Sequence, residues 1–302
     1  MMLDRRKFLT IAGATGIGSA CALAVNQAPS HRNIEPVPSQ SKKTTAEKSK
    51  ISVAQIKVYP EKRAIATNHR KLMEVLKNVA EAGKVDVVVT PEGFLDGYVS
   101  TEKSVTKADM NDYAIDPLTS EYTLAASAWA KRNNTWLIYG CSRKGETGIF
   151  NTALIYNRSG VLIGMYDKLH LQGHDHKYTP GRHLNVYPSD FGPFGVMICA
   201  DRRWPETART LTLKGARVIF NPTYGMHGEL NLCMMRTRSY ENGIYIIFTH
   251  PGQSLITGPK GNVVCNYQDK EGTYVVTEID LSKAPANTGG HIANRRPDVY
   301  KL

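Results

Sequence analysis

Three short segments carry the side chains best suited to chemistry, and each follows a run of apolar residues. Pro91-Glu92-Gly93 follows Val87-Val88-Val89-Thr90. Tyr166-Asp167-Lys168-Leu169-His170-Leu171 follows a second run, and Cys199-Ala200-Asp201 follows Val196-Met197-Ile198. A carboxylate, an ammonium and a thiol are the groups needed to attack a carbon–nitrogen bond through sulfur. Only the thiolate is a good nucleophile, so such a site must lower the thiol pKa or remove its proton. Glu92 fits a general base if apolar walls raise its pKa toward neutrality. Lys168 fits a fixed positive charge for the thiolate and then for the tetrahedral oxyanion, and backbone N–H groups just after Cys199 can point at the same oxygen. Glu92, Lys168 and Cys199 are therefore the catalytic candidates, and the set calls for no histidine base, no metal and no cofactor.

Taken singly, each residue has a plainer reading. A cysteine at the end of a buried strand is often an inert core thiol. A glutamate at a sheet edge is commonly solvated, and a lysine beside Asp167 commonly makes a weak surface ion pair. His170, His174, Asp175 and His176, with His183 nearby, are chemically competent zinc ligands; such spacing is common in polar loops without metal, and no metal site is assigned. Arg202, Arg203 and Glu206 could contact substrate or form ion pairs that fix the turn after the nucleophile. Tyr98, Trp204, Tyr224, Met226 and Asn221 are pocket candidates, although aromatic residues near a site are as often packing.

The elements that must position these groups alternate between strand and helix. Ile51–Ile56 alternates as a strand, and 62–82 carries apolar residues at helical spacing. Val85–Thr90 is a continuous apolar run, typical of a strand covered on both faces. A helix is expected over 118–132, a strand over 136–141, and a hairpin with strands 151–156 and 161–166 turning at Asn157-Arg158-Ser159-Gly160. A strand over 196–199 is followed by a helix from Pro205 to Lys214, with proline at the first helical position. Further strands fall at 218–221, 245–250, 255–257, 262–266 and 274–279. Such a mixture argues for layered sheets covered by helices.

The chain has 302 residues, of which 41% are hydrophobic and 22% charged, and a formal net charge of +11. The first 50 residues hold eight basic and three acidic side chains, and the remainder holds 30 and 24, interspersed. No basic run supports a nucleic-acid partner. Asp4-Arg5-Arg6-Lys7-Phe8-Leu9, then a weakly hydrophobic stretch from Ile11 to Val25, reads as a charged and an apolar segment of an export signal. Its Arg-Arg-x-Phe-Leu pattern resembles a twin-arginine signal. That assigns 1–25 to a signal, 26–50 to a Ser-, Pro- and Lys-rich linker and 51–302 to the folded domain. The expected location is the periplasm or cell envelope, with membrane contact only through an uncleaved signal. The stretch is short for a membrane span. Gly18 disfavours Cys21 as a lipidated residue. Cys141, Cys199, Cys233 and Cys265 are too widely spaced for a disulfide framework or zinc site, and no obligatory disulfide is expected.

The three segments and their flanks together resemble the nitrilase superfamily of carbon–nitrogen hydrolases. The carriers are Pro91-Glu92-Gly93-Phe94, Tyr166 to Leu171, and Ile198-Cys199-Ala200-Asp201-Arg202-Arg203-Trp204-Pro205-Glu206. Tyr178-Thr179-Pro180-Gly181, Phe220-Asn221-Pro222-Thr223, the stretch Met235 to Gly243, Ser254 to Gly261 and Arg295 to Tyr300 agree with it. The resemblance implies a four-layer α-β-β-α sandwich, assembled as a homodimer or larger homo-oligomer through the cysteine-bearing face. It implies Glu92 as base, Lys168 as oxyanion stabiliser and Cys199 as nucleophile, acting through a thioester acyl-enzyme. Many family members carry a second glutamate between the Lys and Cys motifs. Here no Glu lies between Lys168 and Glu206, and His174 or Asp175 is expected in that place. Cys-Ala-Asp, where nitrilases tend to have Cys-Trp-Glu, favours a small linear amide or N-carbamoyl substrate over a nitrile. Nitrile hydrolysis, acyl transfer on the same triad, and a non-catalytic or metal-binding protein keeping the fold are the alternatives. His174, Asp175, Asn221, Tyr224 and Trp204 are the substrate-binding candidates.

Overall fold

The computed structural model describes residues 47–268 and 272–300. The signal assigned to 1–25 and most of the 26–50 linker lie outside the described residues. Two six-stranded mixed sheets form the body. The first takes β1 (Lys50–Ile56), β2 (Val87–Val89), β3 (Trp136–Gly145), β4 (Gly148–Tyr156), β5 (Leu162–Asp167) and β12 (Tyr274–Asp280), in the order β12-β1-β2-β3-β4-β5. The second takes β6 (Val186–Tyr187), β7 (Phe194–Val196), β8 (Val218–Pro222), β9 (Tyr245–His250), β10 (Gln253–Thr257) and β11 (Val263–Tyr267), in the order β11-β10-β9-β8-β7-β6. β1-β2-β3 and β7-β8-β9 run parallel; the outer pairs are antiparallel.

The apolar runs sit where both sheet faces are covered. Val87 and Val89 join Ile138, Ala153, Phe194, Val196 and Phe220 in the core between the sheets. Val88, of opposite parity, packs instead with Leu72, Val75 and Leu76 of α1 (Ile65–Ala82) and Ala126 and Trp129 of α3 (Glu121–Asn133). Burying each such side chain contributes roughly 1.5–3 kcal/mol. Trp136 and Phe194 meet edge to face across the sandwich at 5.6 Å, and Gln55 Nε2 donates across it to Phe248 O at 2.7 Å. On the far side, α4 (Pro205–Leu213) and α5 (Glu229–Asn242) cover the second sheet. Gly195 lets α4 close in, since a Cβ there would lie 3.0 Å from the Leu211 side chain. The architecture is the expected layered α-β-β-α sandwich.

Several boundaries differ from expectation for identifiable reasons. α1 begins at Ile65 rather than Lys62. Asn68 exchanges 2.7 Å bonds with the backbone of Glu61, holding 61–64 as a loop. β7 ends at Val196, because Asp201 captures Ile198 N–H (3.0 Å) and Cys199 turns to φ +45°. Residues 96–117 form a wall built on Tyr98, Val99, Val105 and Met110, packed with Ile149 and Tyr178. It contains the short α2 (Met110–Tyr113), which periodicity could not reveal in four residues.

Candidate active site

Past β2 the chain stays stitched to β3. Thr90 N–H donates to Ile138 O at 3.0 Å, and Gly140 N–H donates to Thr90 Oγ1 at 2.9 Å. A side chain on Gly140 would collide with Pro91 O, its Cβ only 2.4 Å away. This close approach turns Glu92 inward, where it is 1% exposed.

Lys168 stands one residue beyond β5. The β4–β5 register pairs Thr152 with Asp167, so Asn151 falls opposite Lys168 and accepts its N–H at 2.9 Å. Asp167 takes Arg143 (2.7 Å) and Thr152 (2.5 Å) as partners, so the surface pair with Lys168 does not form. Lys168 Nζ is buried and donates to Glu92 Oε1 (2.7 Å), Asp175 Oδ2 (2.6 Å) and Tyr98 OH (3.2 Å). Tyr98 OH in turn donates to Asp175 Oδ1 at 2.6 Å. Glu92 also accepts from Asn151 Nδ2 (2.8 Å) and from Tyr224 N–H (3.1 Å). Burial alone would lower the Lys168 pKa. The charges of Glu92 and Asp175, joined by Cys199 in its ionised form, outweigh it and hold the ammonium above its ordinary value.

Cys199 opens a short 3₁₀ turn, Cys199–Arg203, in the left-handed region at φ +45°. A non-glycine residue there is strained, and such strain persists only where neighbours over-determine it. Asp201 supplies the clamp. Fully buried, it accepts from Ile198 N–H (3.0 Å), Tyr166 OH (2.7 Å) and His170 N–H (2.9 Å), and His170 Nδ1 lies 2.7 Å from it. One carboxylate thus joins the lysine segment to the cysteine segment. Burial pushes the Cys199 thiol up, and the charge of Glu92 adds to this. Lys168, Arg202 and the Gly225 N–H pull it back without reversing the direction. The resting sulfur is a thiol.

Glu92, Lys168 and Cys199 therefore face one another electrostatically within one buried cluster. Asp175, 1% exposed, stands on Lys168 where a second glutamate is absent from the sequence. His174 is half-exposed beside it, with Nε2 3.0 Å from Tyr98 OH. His170 turns to Asp201 and His174 to Tyr98, so these imidazoles diverge. Tyr224 is half-buried and lies edge-on to Tyr98 at 5.4 Å. Asn221 is fully buried and donates to Met197 O at 3.0 Å, behind the cysteine turn. Trp204 departs from the pocket assignment. Its indole stacks on His170 at 4.0 Å, on the Asp201 side of the turn. Arg202 and Asn151 carry more of the site than their sequence context suggested. Asn151 was legible only through the hairpin register.

The fold and this cluster define a layered α/β protein with a buried cysteine, a lysine and two carboxylates gathered on the turns beyond its strands. Residues 50–286 match the family described as Carbon-nitrogen hydrolase. The chain belongs to that family, whose members are hydrolases of carbon–nitrogen bonds other than peptide bonds. Among its relatives is a nitrilase of Pyrococcus abyssi (strain GE5 / Orsay), 30% identical over 249 residues, covering 76% of this chain and 90% of that protein. An N-carbamoylputrescine amidase of Arabidopsis thaliana is 30% identical over 195 residues, covering 53% of this chain and 65% of that protein. The fold is similar to that of Saccharomyces cerevisiae Nit3, with a TM-score of 0.71 at 22% identity over 84% of this chain and 98% of that one.

Proposed function

We propose that this hydrolase cleaves the C–N bond of a small linear amide or N-carbamoyl compound through a thioester on Cys199. Glu92 takes the Sγ proton as sulfur attacks the carbonyl carbon. Lys168 stabilises the resulting oxyanion. Collapse breaks the C–N bond, and protonated Glu92 returns its proton to the departing ammonia or amine. Glu92 then deprotonates water, which attacks the thioester, and a second collapse releases the acid and restores the thiol. One group serving as base and acid in turn is the economy expected of a ping-pong hydrolase. Asp175 and Tyr98 hold Lys168 against Glu92.

The observation that carries this reading is the buried Lys168 ammonium bonded at once to Glu92 and Asp175, with the charges of Glu92 and Lys168 acting on a thiol held in strained backbone. The named amidase relative supports the amide or carbamoyl class. The test is ammonia release from a panel of linear amides and N-carbamoyl amines, with intact-mass detection of an acyl adduct. Cys199→Ala should lose both turnover and adduct while folding normally; retained turnover would sink the assignment. The same proposal includes export directed by residues 1–25. Replacing Arg5 and Arg6 by lysine should leave the chain in the cytoplasmic fraction, and unchanged fractionation would refute that part.

A further inference from the structure

Arg202 is 1% exposed, and every group its guanidinium touches is neutral in the resting site. Nε donates to Asn231 Oδ1 at 2.7 Å, Nη2 to Met226 O at 2.6 Å and Nη1 to Cys199 Sγ at 3.6 Å. Its guanidinium carbon lies 5.3 Å from the Phe248 ring centre. Among the described residues no carboxylate comes within ion-pair distance of it. A guanidinium stays charged in proteins, and burying one without an anion is costly. The ammonium of Lys168, by contrast, is shared by two carboxylates, Glu92 and Asp175.

We infer that Arg202 is a catalytic residue, the cation that pairs with the Cys199 thiolate once Glu92 has taken its proton. This rests on the cysteine mechanism above and assigns it a fourth charged member. The charges acting on the sulfur are Glu92, Lys168 and Arg202, with Asp175 held on Lys168 and Tyr98 neutral, and these four charges sum to zero with the thiol intact; Asp201, two residues on, is turned to Ile198 N–H, Tyr166 OH and His170 instead. Moving the proton from Sγ to Glu92 leaves the sum at zero and sorts the site into two pairs. Asp175 keeps Lys168, and the thiolate takes Arg202. Were Lys168 the lone cation, the thiolate would be formed in a site already negative. The turn delivers the geometry. Three residues make one turn of a 3₁₀ helix, so side chains three apart eclipse, which sets Arg202 beside Cys199. Asn231 at the start of α5 and the Met226 carbonyl then fix the guanidinium plane.

The test follows the reaction of Cys199 with iodoacetamide, a neutral probe, as a function of pH, read from the mass of the Cys199 peptide in a Cys233→Ser background. Arg202→Met, which keeps much of the volume, should shift the reactivity midpoint upward by at least one pH unit and slow alkylation near pH 7 tenfold or more. Arg202→Lys should fall between, and Asn231→Ala, which frees the guanidinium, should give a smaller shift in the same direction. Melting curves identify any variant that fails to fold, leaving the others to decide. Unchanged iodoacetamide profiles in folded variants overturn the inference. So does slowing confined to iodoacetate, which would make Arg202 a ligand-charge contact only. Wild-type Cys199 unreactive at every pH would instead defeat the cysteine mechanism itself.

Discussion

At the scale of single residues, the proposed mechanism has to remove a proton from a sulfur that rests as a thiol. Burial and the charge of Glu92 raise the Cys199 thiol, so a spontaneous thiolate is suppressed and proton removal must be local. Glu92→Gln keeps the shape and the bonds from Asn151 and Lys168 but cannot accept that proton. It should lower kcat for ammonia release by about 10³-fold, at the scale of general-base loss, with an unchanged melting temperature. A drop below tenfold would mean that another group takes the proton. Asp175 acts through Lys168. Asp175→Asn removes one of two charges that hold the ammonium up against burial. We expect kcat to fall roughly 10–100-fold, about 1.4–2.7 kcal/mol, with KM changing far less. A fall in KM-dependent binding alone would place Asp175 on the substrate instead.

At the scale of elements, strand ends and the loops beyond them decide the site. Runs such as Val85–Thr90 declared buried strands, and Glu92, Lys168 and Cys199 were legible as candidates because each lies within three residues of a strand's end. The α1 start and the early end of β7 were not legible, because single side-chain bonds from Asn68 and Asp201 set them. Trp204 was misplaced for a related reason, since nothing in its neighbours announces a stack on His170. Arg202 was legible only as a substrate contact or an ion-pair partner, because a guanidinium three residues after a cysteine meets the sulfur only once the turn is 3₁₀. His250, ending β9, shows how a loop is held. Its Nδ1 accepts Gly252 N–H at 2.9 Å, so Nε2 carries the proton donated to Tyr224 O at 2.7 Å. Burial, with a contribution from His227, pushes its pKa down to about 4. A histidine lowered on folding is protonated first in the unfolded chain. Stability from this group is thus intact above its unfolded value of about 6.5 and is lost as pH falls toward 4. Between those limits the loss is about 3 kcal/mol. His250→Gln can keep both bonds without titrating. Urea unfolding should show the wild type losing that much more stability than the variant from pH 6.5 to 4. Parallel curves would contradict the assignment.

At the scale of the molecule, the face carrying α4 and α5 combines exposed apolar side chains with contacts that reach the cysteine turn. α5 presents Leu230 and Tyr240, 67% and 45% exposed, and Leu213 of α4 is 45% exposed on the same covering layer. Leu230, Cys233, Thr237 and Tyr240 recur at three- and four-residue steps, an outward stripe on a helix whose Met235 and Ser239 are buried. Such apolar exposure fits a surface covered by a second copy of the chain, for which about 800 Å² per partner is usual. The first turn of α5 holds Asn231 against Arg202, and the loop before it runs so near the sulfur that a Cβ added at Gly225 would lie 3.6 Å from Cys199 Sγ. Covering the helix would therefore steady two contacts to the nucleophile. Light scattering of the purified chain should give a dimer or a multiple of one. Leu230→Asp with Tyr240→Asp should yield a folded monomer, because a paired interface would then bury four carboxylates without partners. That monomer should lose roughly tenfold or more in kcat, although neither residue touches the reacting atoms. A wild-type monomer with full activity at tens of micromolar, or a monomeric variant as fast as wild type, would separate assembly from catalysis and refute the link.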